Sequence, residues 1–204
     1  MTQHRHWLVW IALACGACGG DDGSAPPPPD ATPDPLPPGT VTLTGTITGT
    51  APAEGHVVGL WSVDVGPDRI DKFGDGSATA TTFDLVIPKG KPPDEALNVE
   101  ATAKWGVGLA VLIPAGDRLS DGTIAKPPTV LGMSTQFAVV YRKGDVVAGS
   151  LFTWINAFPN DQLACGKCVK ATTVGAFDTL VPIDCSALVL DAADPSTLTT
   201  CNWI

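Results

Sequence analysis

The alternation of apolar and polar residues predicts short β-strands along most of the chain. Residues 40–48, TVTLTGTIT, place Val41, Leu43 and Ile47 on one side and the threonines on the other. This period of two is typical of a strand with one buried face. Clusters of Gly, Pro and Asp separate further segments of strand character, namely 56–65, 79–87, 96–103, 106–113, 135–142 and 150–155, with weaker signals at 168–174 and 186–191.

These segments predict an all-β domain over residues 40–204. Many short strands with regular turn signals indicate an antiparallel β-sandwich or an open, barrel-like domain. Residues 114–130 are predicted to form a long loop or a short helical turn, and no long amphipathic helix is evident. The composition agrees, because Thr, Gly, Pro and Val are abundant, which suits short strands and many turns. Only 16% of residues are charged, against about 25% in an average soluble domain.

The N-terminus has the order of a secretory signal. A start-proximal segment that contains Arg5 is followed by the apolar run WLVWIALA over 7–14 and then by small residues and cysteine. The run is much shorter than the ~20 residues that a membrane-spanning helix needs. We therefore predict that residues 1–17 are a signal peptide that is removed.

Residues 1–18 resemble the signal of bacterial lipoproteins, in which a cysteine becomes the lipidated first residue of the mature chain. Cys18 is the predicted lipidation site, because it gives the longer signal and is followed directly by the spacer. Cys15, which follows Ala-Leu-Ala, is the alternative register. An ordinary cleaved signal with incidental cysteines is a third interpretation. The lipoprotein resemblance implies attachment to a membrane through acyl chains.

Residues 18–39 are predicted to be the lipidated N-terminus and a disordered linker. Eight prolines lie between Pro26 and Pro38, and proline favours an extended polyproline II conformation. At ~3.1 Å per residue, the thirteen residues from Pro26 to Pro38 would span about 40 Å. The linker would therefore act as a spacer that holds the β domain away from the membrane.

The rest of the chain resembles a group of lipoproteins found in myxobacteria and their relatives. The resemblance rests on ACGGDD, the Pro/Asp spacer, GTITGTAPAEGHVVGLWSVD and FDTLVPIDCSALVLD. It implies no activity and no catalytic residues. The glycine after either candidate cysteine, by resemblance to other lipoproteins, favours sorting to the outer membrane, on its periplasmic or its external side.

The charge of the chain excludes one class of partner. Its net charge is −9, from 12 basic and 21 acidic residues, and no basic stripe could neutralise a series of phosphates. We therefore predict no nucleic-acid partner. The expected partners are the membrane, through the lipid anchor, and an envelope glycan or protein.

Four late cysteines, Cys165, Cys168, Cys185 and Cys201, are predicted to form two disulfides. An even number of cysteines in an exported chain is typical of a disulfide framework. Zinc binding and redox chemistry at the CGKC motif, 165–168, are the alternatives. Three pairings are open, and we predict the nested one, Cys168 with Cys185 and Cys165 with Cys201.

No residue is assigned a catalytic role. His56 is the one histidine left after signal removal, and no Gly-x-Ser-x-Gly motif occurs. No metal and no cofactor are predicted. Tryptophans in β domains usually lie in cores, but aromatic faces can also stack on sugars. The candidates for ligand stacking are Trp61, Trp105, Trp154 and Trp203.

The sequence thus favours a lipid-anchored cell-envelope protein that acts as a binding or structural module and not as an enzyme. The alternative is an envelope enzyme that depends on carboxylates or on a metal. Carboxylates alone can carry out glycoside hydrolysis, so the abundance of acidic residues leaves this alternative open.

Overall fold

The structure is a computed structural model, and it describes residues 38–63, 70–73, 75–117, 129–173, 175–193 and 201–202. Within these ranges every regular element is a β-strand or a short 3-10 helix, which confirms the all-β prediction. No helix in the described part of the chain is long and apolar enough to cross a membrane.

The described residues form twelve strands. They are β1 (Val41–Gly49), β2 (Gly55–Val63), β3 (Ile70–Phe73), β4 (Asp75–Ala78), β5 (Thr82–Ile87), β6 (Asn98–Glu100), β7 (Ala103–Pro114), β8 (Gly132–Met133), β9 (Phe137–Lys143), β10 (Gln162–Val169), β11 (Thr179–Ile183) and β12 (Val189–Ala192). The 3-10 helices span Pro88–Gly90, Asp94–Ala96, Ala115–Asp117, Thr153–Ala157 and Cys185–Ala187.

Seven of the strands close into a barrel. The order around the ring is β7, β8, β12, β1, β5, β4 and β2, and β2 pairs with β7 again. The neighbours are antiparallel except for β1 and β12, which are parallel. Of the two predicted forms, a β-sandwich and a barrel-like domain, the chain therefore adopts the barrel-like one. Closure pairs the ring's strands on both sides and leaves few free edges.

Strand β7 belongs to two structures at once. Its second half, from Gly108 to Pro114, pairs with β2 and contributes to the barrel. Its first half, from Lys104 to Gly108, pairs with β9, which continues through β10 to β11. We call β9, β10 and β11 the extension. A twelve-residue strand is long enough to serve both, so the barrel and the extension share one backbone.

Two apolar clusters lie on opposite faces of the extension. The first contains the barrel interior and includes Trp61, Leu112, Val139 and Cys165. The second contains Trp105, Ile155, Phe158, Cys168 and Cys201, which is a separate set of side chains. Successive residues of a strand point to opposite faces, so β9 and β10 contribute to both clusters.

Trp61 fills the barrel interior where β7 passes from one structure to the other. A Cβ at Gly108 would lie 2.7 Å from Cδ2 of Trp61, closer than real Cβ atoms approach other atoms. Glycine within a strand often marks such a close approach. Trp61 is 1% exposed. Its ring occupies space that a side chain at position 108 would need, so the packing of the barrel core requires glycine there.

Several predicted strands differ from the structure. The 150–155 segment was predicted as a strand, but its last three residues belong to the 3-10 helix Thr153–Ala157. Residues three apart lie on the same side of a 3-10 helix, and Ile155 and Phe158 are both buried. The 96–103 segment contains a hairpin turn at Ala101, which has a φ of 54°. The predicted 168–174 strand ends at Val169 but begins at Gln162.

Candidate functional site

Both disulfides are present, but our nested pairing was wrong. Cys165 is bonded to Cys185, and Cys168 is bonded to Cys201. The reason lies in β10, which contains both cysteines of the CGKC motif three residues apart. An odd spacing places them on opposite faces of the strand. Cys165 therefore meets Cys185 in the first cluster, and Cys168 meets Cys201 in the second.

The disulfides also bear on the zinc alternative. Cys168, Asp178 and Cys201 lie close enough together to hold a metal ion. A metal site needs deprotonated, unbonded thiolates, and these two sulfurs are bonded to each other.

The disulfides indicate an oxidising location outside the cytoplasm.

The buried Asp178 carboxylate holds the end of the described chain. It accepts hydrogen bonds from the backbone N–H groups of Asn202 and Ala171, at 2.8 and 2.9 Å, and from Nζ of Lys170 at 2.9 Å. These hydrogen bonds lower the pKa of Asp178 to about 2. The bond from the N–H of Asn202 has the largest effect, followed by those from Lys170 and Ala171. This carboxylate fixes the segment that carries Cys201.

The tryptophan candidates lie mainly in the cores. Trp61 and Trp105 are 1% and 4% exposed, so neither indole has a face open for stacking on a sugar. Trp154 is half-buried and makes an edge contact with Phe158. Trp203, like the lipidation candidates Cys15 and Cys18, lies outside the described residues.

A polar cleft, which was not predicted from the sequence, opens on the face of the sheet that carries the first cluster. Tyr141 and Lys143 continue the row that begins with Val139 on β9, and Lys104 lies opposite Lys143 on β7. The segment that follows β5 forms the other wall and contributes Lys91 and Asp94. The cleft has a volume of about 420 Å³, and we call it the lysine cleft.

The lysine cleft has a defined hydrogen-bond arrangement. Tyr141 donates its hydroxyl to Oδ1 of Asp161 at 2.6 Å, and Nζ of Lys143 lies 3.3 Å from Oδ2 of the same carboxylate. Across the cleft, Nζ of Lys91 donates to Oδ1 of Asp94 at 2.9 Å. Each aspartate therefore has a lysine partner, and the tyrosine is held by the carboxylate that it contacts.

The pKa values of these groups are separated by their surroundings. Burial, followed by the hydrogen bond to Asp161, raises the pKa of Tyr141 to about 12. The hydrogen bond from Tyr141, followed by that from Lys143, lowers the pKa of Asp161, and Lys91 lowers that of Asp94. At neutral pH the cleft thus holds a protonated tyrosine and two ionised carboxylates, whereas a general acid needs a raised pKa.

Non-glycine residues with positive φ occur in the lysine cleft and near it. The described non-glycine residues with positive φ are Lys89, Ala101 and Asp161, at 60°, 54° and 55°. Asp161 lines the cleft, Ala101 adjoins Thr102 of its wall, and Lys89 lines a neighbouring cavity of about 440 Å³. Strain of this kind is found disproportionately at functional sites. The two cavities share the Lys91–Asp94 ion pair.

The sequence contains only weak signals for this cleft. Tyr141 is the single tyrosine of the chain, and it lies in a segment that was predicted to be a strand. The lysines lie near turns, where they are usually solvated. Their meeting depends on the pairing of β7 with β9, which local sequence does not specify.

Comparisons with known proteins give no match. No family model matches the chain, and neither curated proteins nor solved structures show significant similarity.

Proposed function

We propose that this protein is a lipid-anchored component of the cell envelope whose barrel is a binding module without catalytic activity. The lipoprotein-like signal at residues 1–18 supports anchoring, and the proline-rich segment that follows supports a spacer. The two disulfides agree with an exported location. In this proposal the outer membrane carries the anchor, and the barrel meets its ligand away from the lipid surface.

The lysine cleft is the observation that carries the binding function. It combines ammonium groups, a hydroxyl and ionised carboxylates in one concave site of about 420 Å³. These are donors and acceptors that suit the hydroxyl groups of a sugar. An envelope glycan is therefore the favoured ligand, recognised through hydrogen bonds. The enzyme alternative has less support, because the pKa values of Asp94 and Asp161 are lowered.

Binding to envelope material tests this function. We would co-sediment the purified full chain with cell walls and insoluble polysaccharides, and compare Asp161→Asn with the parent. Asparagine tolerates the positive φ of residue 161, so the variant removes charge and keeps the backbone. The substitution weakens the charge-assisted contacts that position Tyr141 and Lys143, so binding through these two donors is expected to weaken about tenfold.

Asp84→Asn is the matched control, because Asp84 is exposed on β5 and does not line the cleft. Its binding should equal that of the parent. A folded parent that binds none of the materials, or equal binding by Asp161→Asn, would contradict the proposed function.

The anchor is tested separately by replacing each N-terminal cysteine. Cys18→Ser is expected to release the protein from membranes and abolish palmitate labelling, whereas Cys15→Ser should leave both unchanged. The reverse result would move the lipidation site to Cys15. Membrane association that survives both substitutions would contradict a lipid anchor.

A further inference from the structure

Two lysines face the lysine cleft from adjacent strands in direct register. Lys104 on β7 lies opposite Lys143 on β9 in an antiparallel pair. Side chains at such positions have Cβ atoms about 5 Å apart, and like charges directly opposite each other are destabilising. An arrangement that places two lysine side chains on neighbouring positions of one cleft is explained if a ligand supplies the opposite charge.

The partners of the two lysines differ. Lys143 shares the Asp161 carboxylate with Tyr141. The side chain of Lys104 makes no hydrogen bond or close ion pair with any residue that the structure describes, and it is exposed to solvent; its charge contributes to the lowered pKa of Asp94. The ammonium group of Lys104 therefore has three donors available at the cleft.

The carboxylates of the cleft are already engaged. Oδ1 and Oδ2 of Asp161 contact Tyr141 and Lys143, and Oδ1 of Asp94 contacts Lys91. The three lysines outnumber the two aspartates that line the cleft, which leaves one positive charge. In a chain with a net charge of −9, this local excess favours an anion over a cation.

We propose that the lysine cleft binds an acidic saccharide and places its anionic group, a carboxylate or a phosphate, between Lys104 and Lys143. This inference rests on the proposed function, because it names the ligand class of the same site. A lysine ammonium acts as a point charge and does not select one planar geometry. The shared chemistry is thus an oxyanion carried on a sugar.

Calorimetric titration of the full chain with matched probes tests this inference. Trigalacturonic acid is compared with its methyl ester, and glucose 6-phosphate with glucose, so that the sugar is kept within each pair and the anionic group is neutralised or removed. At low salt at least one acidic probe should bind about tenfold more tightly than its neutral counterpart. The preference should fall as the salt concentration rises, since ions screen exposed charges.

Substitution of the lysines locates the effect. Lys104→Gln should abolish most of the preference for the acidic probe over its neutral counterpart, because it removes the positive charge and leaves a polar side chain at the same position. Lys167→Gln is the matched control, because Lys167 is an exposed strand lysine on β10 outside the cleft. It should retain the full preference for the acidic probe. Circular dichroism and thermal unfolding establish that both variants are folded.

The outcomes separate this inference from the proposed function. A preference for a carboxylate or for a phosphate supports the inference and identifies the anion. Equal binding of acidic and neutral probes overturns the inference but agrees with glycan binding. A charge preference that Lys104→Gln does not alter overturns the placement of the anion. If no probe binds while the protein sediments with envelope polysaccharide, the inference is wrong and the proposed function stands.

Discussion

The barrel and the extension differ in the way their strands are completed. In the barrel, the ring from β7 back to β7 gives each strand two neighbours. The extension ends at β11, which has a strand on one side only in the described part of the chain. Pro182 lies within β11, and proline, which has no N–H, is typical of an edge strand.

Covalent bonds are found where hydrogen-bonded closure is missing. Both disulfides begin on β10 of the extension, one at Cys165 and the other at Cys168. Their partners are Cys185, shortly before β12 of the barrel, and Cys201, near the end of the chain. The barrel is therefore held by strand pairing and apolar packing, whereas the extension depends on its crosslinks in addition to packing.

Removal of a disulfide should have the largest effect on this difference. The bonds span 20 and 33 residues of sequence. The double variants are Cys165→Ala/Cys185→Ala and Cys168→Ala/Cys201→Ala. Each should lose about 3 kcal/mol of unfolding free energy, because the unfolded chain gains conformational freedom when the crosslink is removed. Urea-induced unfolding measures this loss. Hydrogen exchange should show that protection falls first at β10 and β11. Equal loss of protection in β1 and β5 would contradict a separate dependence of the extension on its disulfides.

The two regions also share a packing device, in which a glycine lies beneath an aromatic ring. A Cβ at Gly108 would meet three atoms of Trp61 at 2.7–2.9 Å, whereas one at Gly166 would meet Cζ of Phe158 at 2.9 Å and Cβ of Leu180 at 3.1 Å. Gly108→Ala and Gly166→Ala should each lower the free energy of unfolding by about 1–3 kcal/mol. The loss should be greater at Gly108, because the closed barrel restrains Trp61 more tightly. Chemical denaturation of the two variants measures the difference.

Gly116→Ala is the control for these variants. Gly116 has a negative φ and no atom within 4 Å of an added Cβ, so its substitution should change stability by less than about 0.5 kcal/mol. A loss at Gly166 that equals or exceeds the loss at Gly108 would show that the barrel does not restrain its core more tightly than the extension does.

Local pattern was sufficient for much of the fold. The alternation around Val41, Leu43 and Ile47 predicted β1, and Leu43 and Ile47 are buried as that pattern requires. The segment 106–113 was predicted as a strand and lies inside β7. These signals succeed because a half-buried strand imposes its period on neighbouring residues.

Pairing between distant strands could not be predicted in the same way. The closure of the barrel depends on β7 contacting both β2 and β8, and local sequence does not encode that choice. The disulfide pairing was missed because the strand was predicted to begin at Cys168, so Cys165 was not assigned to a face. The lysine cleft was missed because Lys104 and Lys143 are 39 positions apart in sequence and meet only through strand register.

The smallest expected effect is a loss of stability at acidic pH that depends on Asp178, which precedes β11 of the extension. Its pKa is lowered to about 2 in the folded chain, against about 3.9 for an unfolded aspartate. The ionised carboxylate therefore contributes stability that is fully present above pH 4 and is lost as the pH falls towards 2. The difference in unfolding free energy between the parent and Asp178→Asn should accordingly be constant from pH 6 to 5 and decrease below pH 4. Carbon NMR titration of Asp178 gives the folded pKa directly. A midpoint near 4 would mean that the N–H groups of Ala171 and Asn202 do not hydrogen-bond to the carboxylate in solution. The segment that contains Cys201 would then be attached to the extension by the Cys168–Cys201 disulfide and not by Asp178.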